Sequence, residues 1–60
     1  MTYESQCQFG RAIAAAEIAD CKATGNYLKL IRTIRDMSDQ SHGVSIGFLQ
    51  AVAEKAVHNN

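Results

Sequence analysis

The chain has 60 residues, of which 47% are hydrophobic, and its six Lys and Arg residues balance six Asp and Glu residues. This length allows a single domain, 1–60, and the apolar fraction is too high for a disordered chain. The balanced charge differs from that of a strongly basic nucleic-acid-binding domain. A domain this small buries only about 60% of its unfolded surface, so we expect a second chain to add stability.

The first predicted helix covers residues 3–23 and is dense in alanine, the best helix former. Thr2 is placed to cap its start, Gly25 to end it in a left-handed conformation, and Asn26 to cap the next helix. At helical spacing, its apolar residues form two stripes on different sides. The first stripe contains Tyr3, Cys7, Gly10, Ala14, Ile18 and Cys21. The second stripe contains Phe9, Ile13 and Ala16.

A helix with two apolar faces needs two partners, which favours a dimer formed through helix faces. We predict that the subunit or partner interface lies on Phe9, Ile13 and Ala16. The first stripe is the alternative interface, and the pattern does not select between the two. The residues of that alternative are Gly10, Ala14 and Ile18, with Cys7 beside them. A glycine inside so strong a helix also predicts that another backbone approaches at Gly10.

The second predicted helix, 27–39, is amphipathic. Its predicted buried face contains Tyr27, Leu30, Ile31, Ile34 and Met37. On the opposite side, Lys29, Arg32 and Arg35 recur every three residues. This basic stripe could contact phosphates or an acidic partner surface, and the ordinary alternative is a solvated helix face. Asp36 stands four residues after Arg32, at a spacing that allows an ion pair.

The third predicted helix, 45–57, begins with Ser45 as its N-cap. One broad apolar face carries Phe48, Leu49, Val52, Ala53, Ala56 and Val57. The three segments together predict an all-α fold: a small three-helix bundle in which a long first helix precedes a hairpin-like pair of helices.

A helix-turn-helix is the sharpest alternative interpretation. Gly43-Val44-Ser45 stands between two helical patterns, as turn residues do in DNA-binding helix-turn-helix proteins. Two features fit this poorly. Asp39 stands where such a turn needs a small core residue, and the would-be recognition helix begins Ser45-Ile46-Gly47-Phe48, without a base-reading side chain. A small helix-turn-helix-like DNA-binding accessory or transcription regulator therefore stays the alternative function.

Catalytic, metal-binding and cofactor-binding patterns are not evident in the sequence. Cys7 and Cys21 stand fourteen residues apart on one predicted helix. That separation is roughly 21 Å, too far for a disulfide or a shared ligand. His42 and His58 have no second ligand at helical spacing. We therefore expect no catalytic residues, no metal, no cofactor and no enzymatic activity.

The sequence also bears on location. It contains no apolar run as long as the roughly 18 residues that suggest a membrane span. The opening Met1-Thr2-Tyr3-Glu4 lacks the basic and apolar regions of a secretory signal, and the two widely spaced cysteines suit a reducing compartment. We expect a cytoplasmic protein that does not contact membranes.

In its size, its abundance of small residues and its helical build, the whole chain resembles the short early or accessory proteins of temperate, lambda-like bacteriophages. Those proteins are cytosolic, often dimeric, and often act by binding a host protein. The resemblance implies a bacterial-cell setting and a regulatory, non-enzymatic role. We therefore expect a small interaction protein whose partners are a second copy of itself and a host protein, with nucleic acid less favoured.

Overall fold

A computed structural model describes residues 2–58, which form three α-helices. They are α1 (Tyr3–Thr24), α2 (Tyr27–Ser38) and α3 (Gly43–His58). The predicted all-α architecture with a long first helix is confirmed. The third helix begins two residues before its predicted start.

Local capping chemistry sets the ends of α1 and the start of α2. The Thr2 side chain accepts a hydrogen bond of 3.1 Å from an amide in the first turn of α1. After α1, Gly25 adopts the left-handed conformation with φ 72°, and its amide donates to the Cys21 carbonyl at 2.7 Å. The Asn26 side chain then accepts from an amide in the first turn of α2 at 3.2 Å. All three capping predictions are confirmed.

The predicted cap of the third helix is wrong. The carbonyl of His42 accepts the first helical hydrogen bond from Ile46 at 3.0 Å, so His42 is the N-cap. Ser45 is instead the third residue of α3 and is fully buried. Its hydroxyl accepts from the His42 amide at 3.3 Å and lies 3.0 Å from the Gln40 carbonyl. In a capping box, the side chain of the third helical residue bonds to the backbone amide of the N-cap residue. Ser45 plays this part toward His42, so it stabilises the start of α3 from within the helix.

The first and last helices form the closest pair in the fold. Gly43 lies beside Gln6, and Gly47 lies beside Cys7. Further along both helices, Arg11 forms an ion pair with Glu54. Since the contacts advance in the same direction along both helices, α1 and α3 run parallel, and the chain between them returns through α2.

Two glycines bring these helices into backbone contact. A Cβ on Gly10 would overlap the Val44 carbonyl oxygen and lie 2.8 Å from the Phe48 amide nitrogen. A Cβ on Gly47 would overlap the Cys7 carbonyl oxygen and lie 2.6 Å from its Cα. Only glycine leaves room for this approach. The prediction that a backbone comes close at Gly10 is confirmed.

The core lies along this helix pair and is thin. Within residues 2–58, the buried hydrophobic side chains are Ala14, Cys21 and Phe48. Phe48 is the one large side chain among them, and it is fully buried. The first predicted stripe of α1 supplies the inner face of that helix, although Tyr3 at its start is exposed.

The second helix covers the pair only in part, since it has no buried residue. Leu30, Ile34 and Met37 are half-buried, as expected for an inward face. Tyr27 and Ile31 are exposed, so the prediction that they are buried is wrong. The apolar face of α2 is wider than the area that α1 and α3 offer it.

The apolar face of α3 becomes more exposed to solvent toward the C-terminal end of the helix. Phe48 is buried, and Leu49 and Val52 are half-buried. Ala53, Ala56 and Val57 are exposed. The far end of α3 therefore leaves apolar side chains in solvent.

Candidate functional site

The predicted interface on the first helix is accessible. Phe9 is 52% exposed, Ala16 is exposed, and Ile13 is half-buried. Because these residues recur at helical spacing, they form one strip along α1. We call it the Phe9 face.

The alternative interface stripe has a different environment. Gly10 and Ala14 are buried, with Gly10 directly against the α3 backbone. Ile18 is half-buried. The centre of this stripe is therefore occupied within the chain, whereas the Phe9 face is exposed at Phe9 and Ala16 and partly covered at Ile13.

A second apolar surface lies on α2, where Tyr27 is 68%, Leu28 57% and Ile31 52% exposed. Residues at i, i+1 and i+4 lie within about 100° of one another around a helix. We call this surface the α2 face. Sequence reasoning placed Tyr27 and Ile31 in the core and did not use Leu28. The sequence did contain a signal for this surface, because Leu28 is a large apolar residue that lies next to the basic stripe and outside the predicted buried face.

One of the three residues of the basic stripe, Lys29, forms an ion pair within the chain. Lys29 Nζ lies 3.1 Å from Asp20 Oδ2, which links α2 to α1. The hydrogen bond to Asp20, the charge of that carboxylate and the charge of Glu17 raise the pKa of Lys29. Lys29 is thus engaged within the chain.

The other two basic residues of the stripe, Arg32 and Arg35, are exposed. Within the described part of the chain neither forms an ion pair, so the predicted pairing of Arg32 with Asp36 is not made. They are available to an external acidic group. The structure therefore does not keep Lys29, Arg32 and Arg35 as one free charged surface.

The residues predicted to form the loop of a helix-turn-helix lie within a helix instead. Gly43, Val44 and Ser45 form the first turn of α3, and Gly43 and Ser45 are buried. The connection between α2 and α3 consists of residues 39–42. The interpretation of residues 43–45 as a turn is wrong because they already belong to α3, where Gly43 packs beside Tyr3 and Gln6 of α1.

A groove of about 360 Å³ opens between α1 and α3, beyond the glycine contacts. Its lining residues are Arg11, Ala15, Ile18, Ala51, Glu54, Lys55 and His58. An adjoining depression of about 220 Å³ shares part of this lining and extends along α1 to Ala19 and Lys22. We call the two together the α1–α3 groove. Sequence reasoning did not identify it, since it depends on which faces of two distant segments meet.

Groups with reactive side chains are dispersed in the fold. Cys7 and Cys21 carry free thiols at half-buried and buried positions. Among residues 2–58, no three His, Cys, Asp or Glu side chains are close enough to hold a metal ion. Over the same residues, no helix combines the length and the apolar character needed to cross a membrane.

Comparison of the chain with known proteins found no match. No protein family model, no curated protein and no solved structure matches the chain.

Proposed function

We propose that this protein is a small, non-enzymatic interaction protein that associates with itself through apolar helix faces and regulates a macromolecular partner. One observation carries the proposal: α2 is amphipathic, yet none of its residues is buried in the single chain. Fully burying one large apolar side chain contributes about 1.5–3 kcal/mol. A second chain that covered the α2 face would gain a large part of that for each of Tyr27, Leu28 and Ile31.

The Phe9 face supports the same proposal independently. Phe9 lies on a different helix from the α2 face, and more than half of its surface is exposed. A small domain with a thin core has few internal contacts to spare, so covering these faces would stabilise it. A host protein as the regulated partner, in a bacterial cytoplasm, is the part of the proposal that rests on the resemblance to phage accessory proteins.

The helix-turn-helix alternative has less support. The start of α3 would have to enter a DNA groove, but Gly43 and Ser45 there are buried. One residue of the basic stripe, Lys29, is already paired with Asp20. Arg32 and Arg35 still offer two phosphate contacts, so duplex binding at low salt is a useful comparison in the experiments.

Solution mass tests the proposal most simply, by size-exclusion chromatography with light scattering across a concentration series. We expect a dimer or larger oligomer that dissociates on dilution. Ile31→Glu and Phe9→Glu each place a charge on one of the two faces, so at least one of them should lower the mass at a fixed concentration.

Matched controls add the same charge at exposed polar positions. Gln8→Glu lies next to Phe9 on α1, and Gln50→Glu lies on α3. Neither should change the mass. A monodisperse monomer from micromolar concentrations upward would overturn the self-association proposal. Equal loss of mass in the controls would show that net charge, not the apolar faces, governs association.

A further inference from the structure

The α1–α3 groove is long enough for several turns of a helix. Arg11, Ala15, Ile18 and Lys22 follow one stripe of α1, at helical spacing. The stripe covers twelve residues from end to end, and its ends are about 16 Å apart, which is roughly three turns of helix. An occupant of about three helical turns could therefore lie along the whole groove.

The groove combines an apolar floor with a positive edge. Ala15, Ile18 and Ala51 supply apolar surface. The charges of Arg11 and Glu54 are matched to each other by their ion pair. The lysines are different: within residues 2–58, Lys22 and Lys55 form no ion pair.

Charge complementarity then determines the occupant. A segment with an apolar stripe would cover the floor, and carboxylates beside that stripe would pair with Lys22 and Lys55. The phosphates of a nucleic acid would pair with the two lysines, but they would leave the apolar floor of the groove uncovered. A basic helix would be repelled by the same lysines.

We propose that the α1–α3 groove binds an acidic amphipathic helix of a partner protein, by the helix-in-groove mode. This inference rests on the proposed function, because it takes the chain to be an interaction protein, and it names the chemistry of the partner. It uses a surface separate from the Phe9 face and the α2 face, so the two proposals can fail separately.

Binding of synthetic helical peptides tests the groove directly, by fluorescence anisotropy. The acidic probe is a labelled peptide of about four turns with leucines on one stripe and glutamates beside it. The comparison probe carries lysines in place of the glutamates. We expect the wild-type protein to bind the acidic peptide at least about tenfold more tightly than the basic one, with an affinity that falls as salt is added.

Charge exchange sharpens the test. The double variant Lys22→Glu/Lys55→Glu should lose the acidic peptide and gain affinity for the basic one, which an unfolded protein would not do. The milder Lys22→Gln/Lys55→Gln variant should weaken acidic-peptide binding without reversing the preference. Arg32→Glu/Arg35→Glu, a matched reversal on α2, should leave peptide binding unchanged.

Several results would overturn the proposal. One is equal binding of both peptides by the wild type, and another is equal loss in the Arg32→Glu/Arg35→Glu control. The light-scattering mass of Lys22→Glu/Lys55→Glu should match that of the wild type. A fall in that mass would identify a second copy of this chain as the occupant, and salt-sensitive duplex binding lost in the same variant would identify nucleic acid.

Discussion

The α1–α3 pair and α2 are held in place by different kinds of contact. Between α1 and α3, backbone meets backbone at Gly10 and Gly47, and Phe48 is fully buried beside them. The α2 helix has good caps and an amphipathic pattern but no buried residue. Between these two helices, even a small change in side-chain volume should therefore alter the stability of the fold. The helix that joins them rests on half-buried side chains.

This contrast separates stability from interaction. Close packing tolerates neither added nor removed volume, so substitutions between α1 and α3 should affect folding. Exposed side chains on α2 contribute little to the single chain, so substitutions there should affect association instead.

Removing the large core side chain should have the greatest effect. Phe48→Ala deletes a fully buried ring, a change that costs about 3–5 kcal/mol. A 60-residue protein has roughly 3–9 kcal/mol of stability in total, so this variant should be largely unfolded by far-UV circular dichroism. The matched variant Phe9→Ala makes the same change at an exposed position, and urea unfolding of protein dilute enough to be dissociated should show a loss below about 1 kcal/mol. Similar losses would contradict the assignment of Phe48 to the core.

Adding a methyl group to the helix contact should have the next largest effect. Gly10→Ala raises helix propensity by about 1 kcal/mol, yet it should destabilise the protein by about 1–3 kcal/mol because the methyl group overlaps the Val44 carbonyl. Gly25→Ala is the control, with open space around its Cβ position but φ at 72°, and it should cost about 1 kcal/mol. A stabilised Gly10→Ala variant in urea unfolding would show that the helices do not approach so closely.

A pair of serines compares the buried cap with an exposed helix end. Ser45→Ala removes hydrogen bonds to the His42 amide and the neighbouring carbonyls, and should cost about 0.5–2 kcal/mol. Ser38→Ala removes a 2.8 Å hydrogen bond from an exposed hydroxyl to the Ile34 carbonyl. Its cost should stay below about 0.5 kcal/mol. Thermal unfolding distinguishes the two, and equal shifts would argue against a buried role for Ser45.

The smallest effect concerns pH. Asp20 raises the pKa of Lys29 above its ordinary value of 10.5. A raised pKa means that the folded state holds the proton more tightly, so this stabilisation is complete below 10.5 and is lost as pH rises through the folded pKa. The exposed ion pair should contribute little. Comparing melting temperatures of wild type and Lys29→Met, with Lys22→Met as control, should show a small difference that vanishes in strong alkali.

The parts of the fold that were predicted correctly have local causes. Thr2, Gly25 and Asn26 act on amides or carbonyls within a few residues, so their roles can be inferred from neighbouring sequence. The roles of Gly43 and Gly47 depend on α1 lying against them, about forty residues away in sequence. For that reason the local sequence predicts a turn at Gly43 and a cap at Ser45, and both predictions are wrong.

The candidate surfaces show the same limit. The pattern of α2 predicts its inward direction but not how much of that face the other helices cover, so it wrongly predicts that Tyr27 and Ile31 are buried. The α1–α3 groove is lined by residues from two distant segments whose relative register no local pattern specifies. Periodicity therefore predicts the direction of a face, while coverage depends on tertiary packing.

Native-state hydrogen exchange at low and high protein concentration tests the central claim most directly, because it reports on both regions at once. We predict that, in dilute protein, amides in α2 exchange faster than those near Gly10 in α1 and near Phe48 in α3. As concentration rises, association should raise the protection of α2, and it should raise protection at the glycine contacts by no more than that, through the stability that it adds to the whole fold. Uniform protection of all three helices that is independent of concentration would contradict the account.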